Sequence, residues 1–347
     1  MNWKQTLFWS FSAAAIFYYF LLFGVFVFVG QEEMQLFIPE WWYIREFLFQ
    51  PGGFCAVAGQ WIIQYYRQPM SAVVFHTVLL VGCGFMVYRI LRCFSDKTYL
   101  LFLSLLPVLY LVKMSIHGEY LVDGTVGVVL MLLALSVSLK VRRAGSIAGY
   151  GIASTLFLCG LTGLLSVCYA FLYTLLALLR YKTSRQRLAA SACLIPALFI
   201  YLFSGWLGIP VPLSDGWMPE AYLEIQRLPH YYMYRVWTFF TLSIVGVALF
   251  ARFVPVIGEK SKWMDRVALV VCLITVLVSI RFCLPEPWHA QRMMLDELSF
   301  LARERQWDAI IDKYRGKQIY NYVSLNYLNM SLAHKGESVS YTHLRAH

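Results

Sequence analysis

Nine apolar runs, separated by short polar stretches that hold most of the charge, lie at about residues 8–30, 70–91, 98–114, 120–139, 146–160, 162–180, 188–207, 235–253 and 265–283. At about 1.5 Å per helical residue the first run covers about 34 Å, enough to cross a bilayer's hydrocarbon core. The stretch 146–180 is too long for one crossing. Cys159-Gly160-Leu161-Thr162-Gly163 interrupts it, and the glycines permit a tight reversal, so it reads as two short helices. The pattern predicts an all-α, polytopic integral membrane protein with about nine transmembrane helices.

Composition agrees. The chain is 60% hydrophobic and 14% charged, whereas a soluble domain is about 25% charged. The net charge of +10 is spread over short clusters beside apolar runs. That pattern belongs to loops at an anionic cytoplasmic leaflet and not to a nucleic-acid site. With the N-terminus inside, the inner segments hold Lys4, then Arg89, Arg92 and Lys97, then Lys140, Arg142 and Arg143. They continue with Arg180, Lys182, Arg185 and Arg187, and with Arg252, Lys260, Lys262 and Arg266. The outer loops hold only Arg45, Arg67, Lys113, Arg227 and Arg235. The excess of inner basic residues sets an N-in orientation, with the C-terminal region outside. The first run is too long for a signal-peptide core and lacks a small-residue cleavage site, so it reads as a retained anchor.

The longest outer loop, 31–69, carries Glu32, Glu33, Glu40 and Glu46, a break at Pro51-Gly52-Gly53, and aromatics from Phe37 to Tyr66 suited to a water–lipid boundary. The other outer segments are Lys113–Glu119, the turn at 160–163, and 208–234. Six of the eight cysteines lie in or beside apolar runs and act as small hydrophobes. Cys55 and Cys283 fall outside them, on the outer face, where a bridge between them is conceivable. His76, alone in the second run, reads as a packed, hydrogen-bonded residue.

The character changes after Arg281. A Pro-rich exit leads into a stretch of ordinary charge density in which Met294, Leu298 and Leu301, then Tyr322, Leu325, Leu328 and Leu332, recur at helical spacing. Gly316 and Gly336 are candidate helix stops. The stretches around Trp307 and NYLNMSLAHKG resemble tetratricopeptide-type repeats, which imply helix–turn–helix units needing about three copies to bury a core. The organisation is therefore a transmembrane domain at 1–284, the start of an extracytoplasmic α-helical domain at 285–337, and a tail at 338–347. Ser340 and the last seven residues, from Tyr341 to His347, resemble a translated sequencing adaptor, which implies a truncated gene product and a tail that is artefactual or disordered.

Glu33 and Gln35 after the first run, Pro51-Gly52-Gly53, the Gln60–Tyr66 stretch ending at Pro69, and the late Asn-rich helix together resemble an uncharacterised family of multi-pass membrane proteins from Bacteroidota. That resemblance implies architecture and carries no activity. The topology also resembles C-type membrane glycosyltransferases, in which an acid in the first outer loop lies close to the membrane. Glu32 and Glu33 occupy the matching place. No DxD motif occurs, and the Glu40-Trp41-Trp42 stretch, which resembles the WWD of oligosaccharyltransferases, lies in a different region.

Three groups could carry chemistry. Glu32 and Glu33 could act as base for an acceptor hydroxyl or ligate a divalent cation; the plain alternative is that they end a span in water. Glu119 and Asp123 are four apart, on one helix face, with His117 just before. His117 and Glu119 are candidate metal ligands and Asp123 a third candidate catalytic acid, against a simple polar turn with Asp123 near a helix N-terminus. Arg227, His230 and Arg235 could hold a diphosphate, against a reading as interfacial residues beside Tyr231, Tyr232 and Tyr234. The expected function is a membrane protein of unassigned activity in cell-envelope biogenesis, contacting membrane lipid and presenting its outer helices to a protein partner. The alternative is a C-type glycosyltransferase using a polyprenyl-linked sugar. The two differ in geometry: a transferase needs Glu33 and Asp123 on one outer cavity, with an arginine facing them.

Overall fold

The computed structural model describes residues 3–32, 35–118, 120–207, 231–258, 262–285, 287–315 and 321–336. These form helices and connecting turns, with no strand among the described residues. The first run forms α1 (Trp3–Phe23) and α2 (Val25–Glu32), and α3 (Trp41–Leu48), α4 (Gly53–Ile63) and a 3₁₀ turn at Gln64–Arg67 follow. Next come α5 (Pro69–Leu91), α6 (Leu100–Leu103), α7 (Leu105–Ser115), α8 (Val122–Ser138), α9 (Ala144–Thr162) and α10 (Leu165–Arg180). The rest are α11 (Ser184–Ser191), α12 (Leu194–Leu202), α13 (Tyr231–Gly258), α14 (Lys262–Cys283), α15 (Pro287–Arg303), α16 (Trp307–Tyr314) and α17 (Tyr322–Lys335).

Five described helical stretches are long and apolar enough to cross a membrane: Trp3–Phe23, Pro69–Leu91, Ala144–Thr162, Arg235–Phe253 and Arg266–Cys283. Apolar stretches of intermediate length cover Leu100–Ser115, Val122–Ser138 and Leu165–Arg180. Prolines explain part of the shortening. Pro107 cannot donate to the Leu103 carbonyl, and Pro196 cannot donate to that of Ala192, so two runs split into α6–α7 and α11–α12. The stretch 146–180 does divide, but three residues later than Gly160: α9 ends at Gly163, whose φ of 60° and ψ of −135° suit glycine alone.

α5 lies at the centre, against α1, α2, α7, α8 and α13. One continuous apolar core runs from Trp9 to Cys272. Outside it, Phe11, Phe157, Ile195, Leu198, Leu242 and Val278 are each more than half exposed, an apolar exterior of the kind that lipid covers. A second, small core of Leu298, Ile310, Ile311, Tyr314, Leu328 and Leu332 joins α15, α16 and α17. Gly336 caps α17 in the left-handed region at φ 77°, as expected, while Gly316 lies outside the described residues.

The stretch 31–69 is mostly helical and folds against the bundle. α4 packs on α8 and α9, and the Gly52 N–H donates to the Gly160 carbonyl at 3.1 Å. All eight cysteines are free. Cys55 and Cys283 form no bridge: Cys55 is buried on α4, and the Cys283 thiol donates to the Leu109 carbonyl. His76 is fully buried with its ring stacked 4.0 Å from Phe28, and neither ring nitrogen has a hydrogen-bond partner among the described residues. Stacking, not hydrogen bonding, holds it.

Candidate functional site

Four elements meet near the C-terminal end of the first run: α2, the turn before α8, α4 and α15. Gln31 is fully buried, and its Nε2 donates to the Tyr120 carbonyl at 2.7 Å. That bond ties the end of α2 to the start of α8. Tyr120 is buried beneath it, and its hydroxyl accepts from Thr125 Oγ1 at 3.2 Å.

Asp123 sits in the first turn of α8, only 5% exposed, with one oxygen accepting from the Gly124 N–H at 2.7 Å. The amide dipoles of the helix start face that carboxylate. Opposite it lies Gly59. A β-carbon on Gly59 would stand 2.5 Å from the Asp123 Cβ and 2.8 Å from its Cα, so the two helices touch backbone to backbone. Cys55, Gly59 and Tyr66 fall at spacings of four and seven along α4 and its 3₁₀ extension, which places them on one face. Burial, and after it the Asp123 charge, push both the Cys55 thiol and the Tyr66 phenol up from their ordinary values. The Tyr66 ring lies 5.6 Å from that of His76. Asp123 is thus enclosed by a thiol, a phenol and a glycine.

The fourth element, α15, packs on α2 and on the turn before α8. His289, Arg292, Asp296, Phe300 and Arg303 recur at three, four, four and three, which makes one helical stripe. His289 Nε2 lies 2.9 Å from the Phe23 carbonyl. The Arg292 guanidinium lies over Gly118, with Nη2 2.5 Å from where a β-carbon would stand. The Asp296 carboxylate lies over Gly30, and Phe300 packs on Phe26 at 5.9 Å. Arg303 pairs with Glu32 at 3.0 Å. Just before this stripe, the buried Lys113 donates to the Leu284 carbonyl at 3.1 Å and lies over the Phe282 ring. The exit from α14 is clamped by these contacts.

The expected site residues therefore have different surroundings. Glu32 points at Arg303, and Asp123 points into the α4–α8 contact. His117 is buried in the turn next to Gly118. Arg235 is exposed on α13. Glu33, Glu119, Arg227 and His230 lie outside the described residues. No group of three or more His, Cys, Asp and Glu side chains is arranged to hold a metal ion among the described residues. Sequence reading did not single out Gln31, Tyr66, Arg292 or Arg303. The stripe on α15 is legible in its spacing, but only the apolar positions Met294, Leu298 and Leu301 were singled out there.

The chain belongs to a family of unknown function (DUF6057), which matches it over residues 1–340. No curated protein and no solved structure matches it.

Proposed function

We propose that this member of the family is a nine-pass protein of the bacterial inner membrane, with its N-terminus inside, which holds an extracytoplasmic helical domain against the outer face of its first pass. Its role is in building the cell envelope. The anchored domain, beginning near residue 285, offers its remaining surface to a protein partner, and the bundle exterior contacts lipid.

One observation carries this reading: the polar and aromatic stripe of α15 is seated on the bundle at five positions, with His289 on the Phe23 carbonyl at the end of α1, Arg292 on Gly118 before α8, and Asp296, Phe300 and Arg303 on α2. A domain on a slack tether would not need five complementary positions on one helix face. Glu32 is then a docking residue. A C-type transferase would need Glu32 open to its polyprenyl-linked sugar, and the Arg303 pair favours the anchoring role.

Topology tests it. In a cysteine-free background, single cysteines replace Ser95, Ser184 or Asp308, and intact cells meet a membrane-impermeant maleimide. Only the variant at Asp308 is expected to label before the membrane is opened. Labelling at Ser184 or Ser95 from outside would sink the nine-pass arrangement.

A further inference from the structure

The corner between α15 and α16 has an arginine where the backbone favours glycine. Arg305 has a φ of 54°, and no other described non-glycine residue has a positive φ. Its N–H donates to the Ala302 carbonyl at 3.0 Å, and the Gln306 N–H donates to the Leu301 carbonyl at 2.8 Å. These paired bonds define a left-handed helix ending, which glycine or asparagine adopts at least cost. The backbone gives no reason for a long cationic side chain here. Strain of this kind points to the side chain as the thing required.

That side chain lines a cleft of ≈ 450 Å³ together with Ala302, Arg303, Trp307 and His334. The Trp307 and His334 rings stack at 4.3 Å and 6°, which gives the cleft one flat, rigid wall. Arg303 is already matched by Glu32 at 3.0 Å and lies 3.9 Å from Glu304. Arg305 has no carboxylate at ion-pair distance among the described residues, which leaves its charge available. The Arg303–Glu32 pair also fixes where the cleft is. Glu32 is the last residue of α2, so the cleft lies at the end of the first apolar run.

We propose that this cleft binds the phosphate of an anionic phospholipid head group, with Arg305 as its cation and the Trp307–His334 face as its wall. The inference rests on reading α1–α2 as a membrane pass. A guanidinium matches phosphate oxygens with two parallel donors, and an indole suits the boundary between head group and acyl chain. A free phosphate-bearing solute has the same chemistry. The position beside the end of a membrane pass selects the lipid.

The test uses the full chain purified in detergent, as wild type, Arg305→Gly and Arg305→Lys. Native mass spectrometry follows retention of added phosphatidylglycerol, with inorganic phosphate as a separate competing arm. Arg305→Gly removes the backbone strain, so without lipid its unfolding midpoint is expected to rise by about 2 °C. The same variant is expected to retain phosphatidylglycerol roughly tenfold more weakly, with Arg305→Lys in between. Equal retention by wild type and Arg305→Gly would overturn the proposal. So would a lower midpoint in Arg305→Gly, because the arginine would then be serving the fold. Displacement of the lipid by inorganic phosphate at equal concentration would overturn the lipid assignment in favour of a solute. Maleimide labelling reports topology separately: its failure would leave an Arg305-dependent loss of lipid standing, so the two readings fail independently.

Discussion

Gly59 has no β-carbon to hold α4 away from α8, and Asp123 occupies the space one would fill. The neighbouring atoms belong partly to the Asp123 backbone, which cannot rotate aside as a flexible side chain could. Gly59→Ala is therefore expected to destabilise the full chain by about 1–3 kcal/mol, the usual range for overpacking a tight contact. The measurement is the denaturation midpoint in detergent. An unchanged midpoint would show that α4 is free to shift. His76 shows the limit of reading one residue at a time. A lone histidine in an apolar run was expected to find a hydrogen-bond partner, but its ring stacks on Phe28 and lies against Tyr66. A stack needs partners 48 and 10 positions away in the chain, which spacing along one helix does not reveal.

At the scale of elements, α15 is amphipathic twice over. One side holds Leu298, which joins Ile310, Ile311, Tyr314, Leu328 and Leu332 in the small core. The other side holds the stripe that meets α2. The three C-terminal helices bury few residues among themselves, and small cores are marginal without outside support. A peptide covering residues 288–336 alone loses the α2 contacts. It is expected to be largely unfolded or self-associated in water, by circular dichroism and sedimentation. A cooperative thermal transition from a monomeric peptide would show that the helices need no seat. The same dependence on neighbours explains the split runs. Pro107 and Pro196 each interrupt an apolar stretch that hydropathy alone reads as one helix, and packing tolerates the interruption.

For the molecule as a whole, the burial of Cys55 and Tyr66, and after it their closeness to Asp123, makes stability depend on pH on the alkaline side. Cys55 and Tyr66 have ordinary values of 9.0 and 10.0, and both are raised in the folded chain. A raised value means that the folded state prefers the neutral form. The stability they contribute is complete below about pH 9 and is lost as the unfolded chain begins to ionise above it. Unfolding midpoints are expected to be level between pH 7 and about 9 in this respect, then to fall. Cys55 contributes up to about 1.4 kcal/mol for each pH unit beyond its ordinary value. Cys55→Ala is expected to make the alkaline fall shallower. If that variant and wild type show the same slope, the thiol is not enclosed as described.

Composition and hydropathy made the helices and their apolar surfaces legible. A chain so apolar and so thinly charged suits helices that satisfy their own backbone in lipid, and the change in composition after Arg281 marked where another kind of surface begins. Those are properties of local composition, which each segment carries wherever it packs. Tertiary structure alone decided which charges meet. Glu32 was legible as an acid at the end of a run, but its partner Arg303 is 271 positions away. Asp123 was legible at a helix start, while its enclosure by Cys55, Gly59 and Tyr66 depends on α4 folding back onto α8. The strain at Arg305 exists only once α15 turns into α16. Pairing over such separations depends on how the helices pack, and hydropathy along one dimension does not encode that.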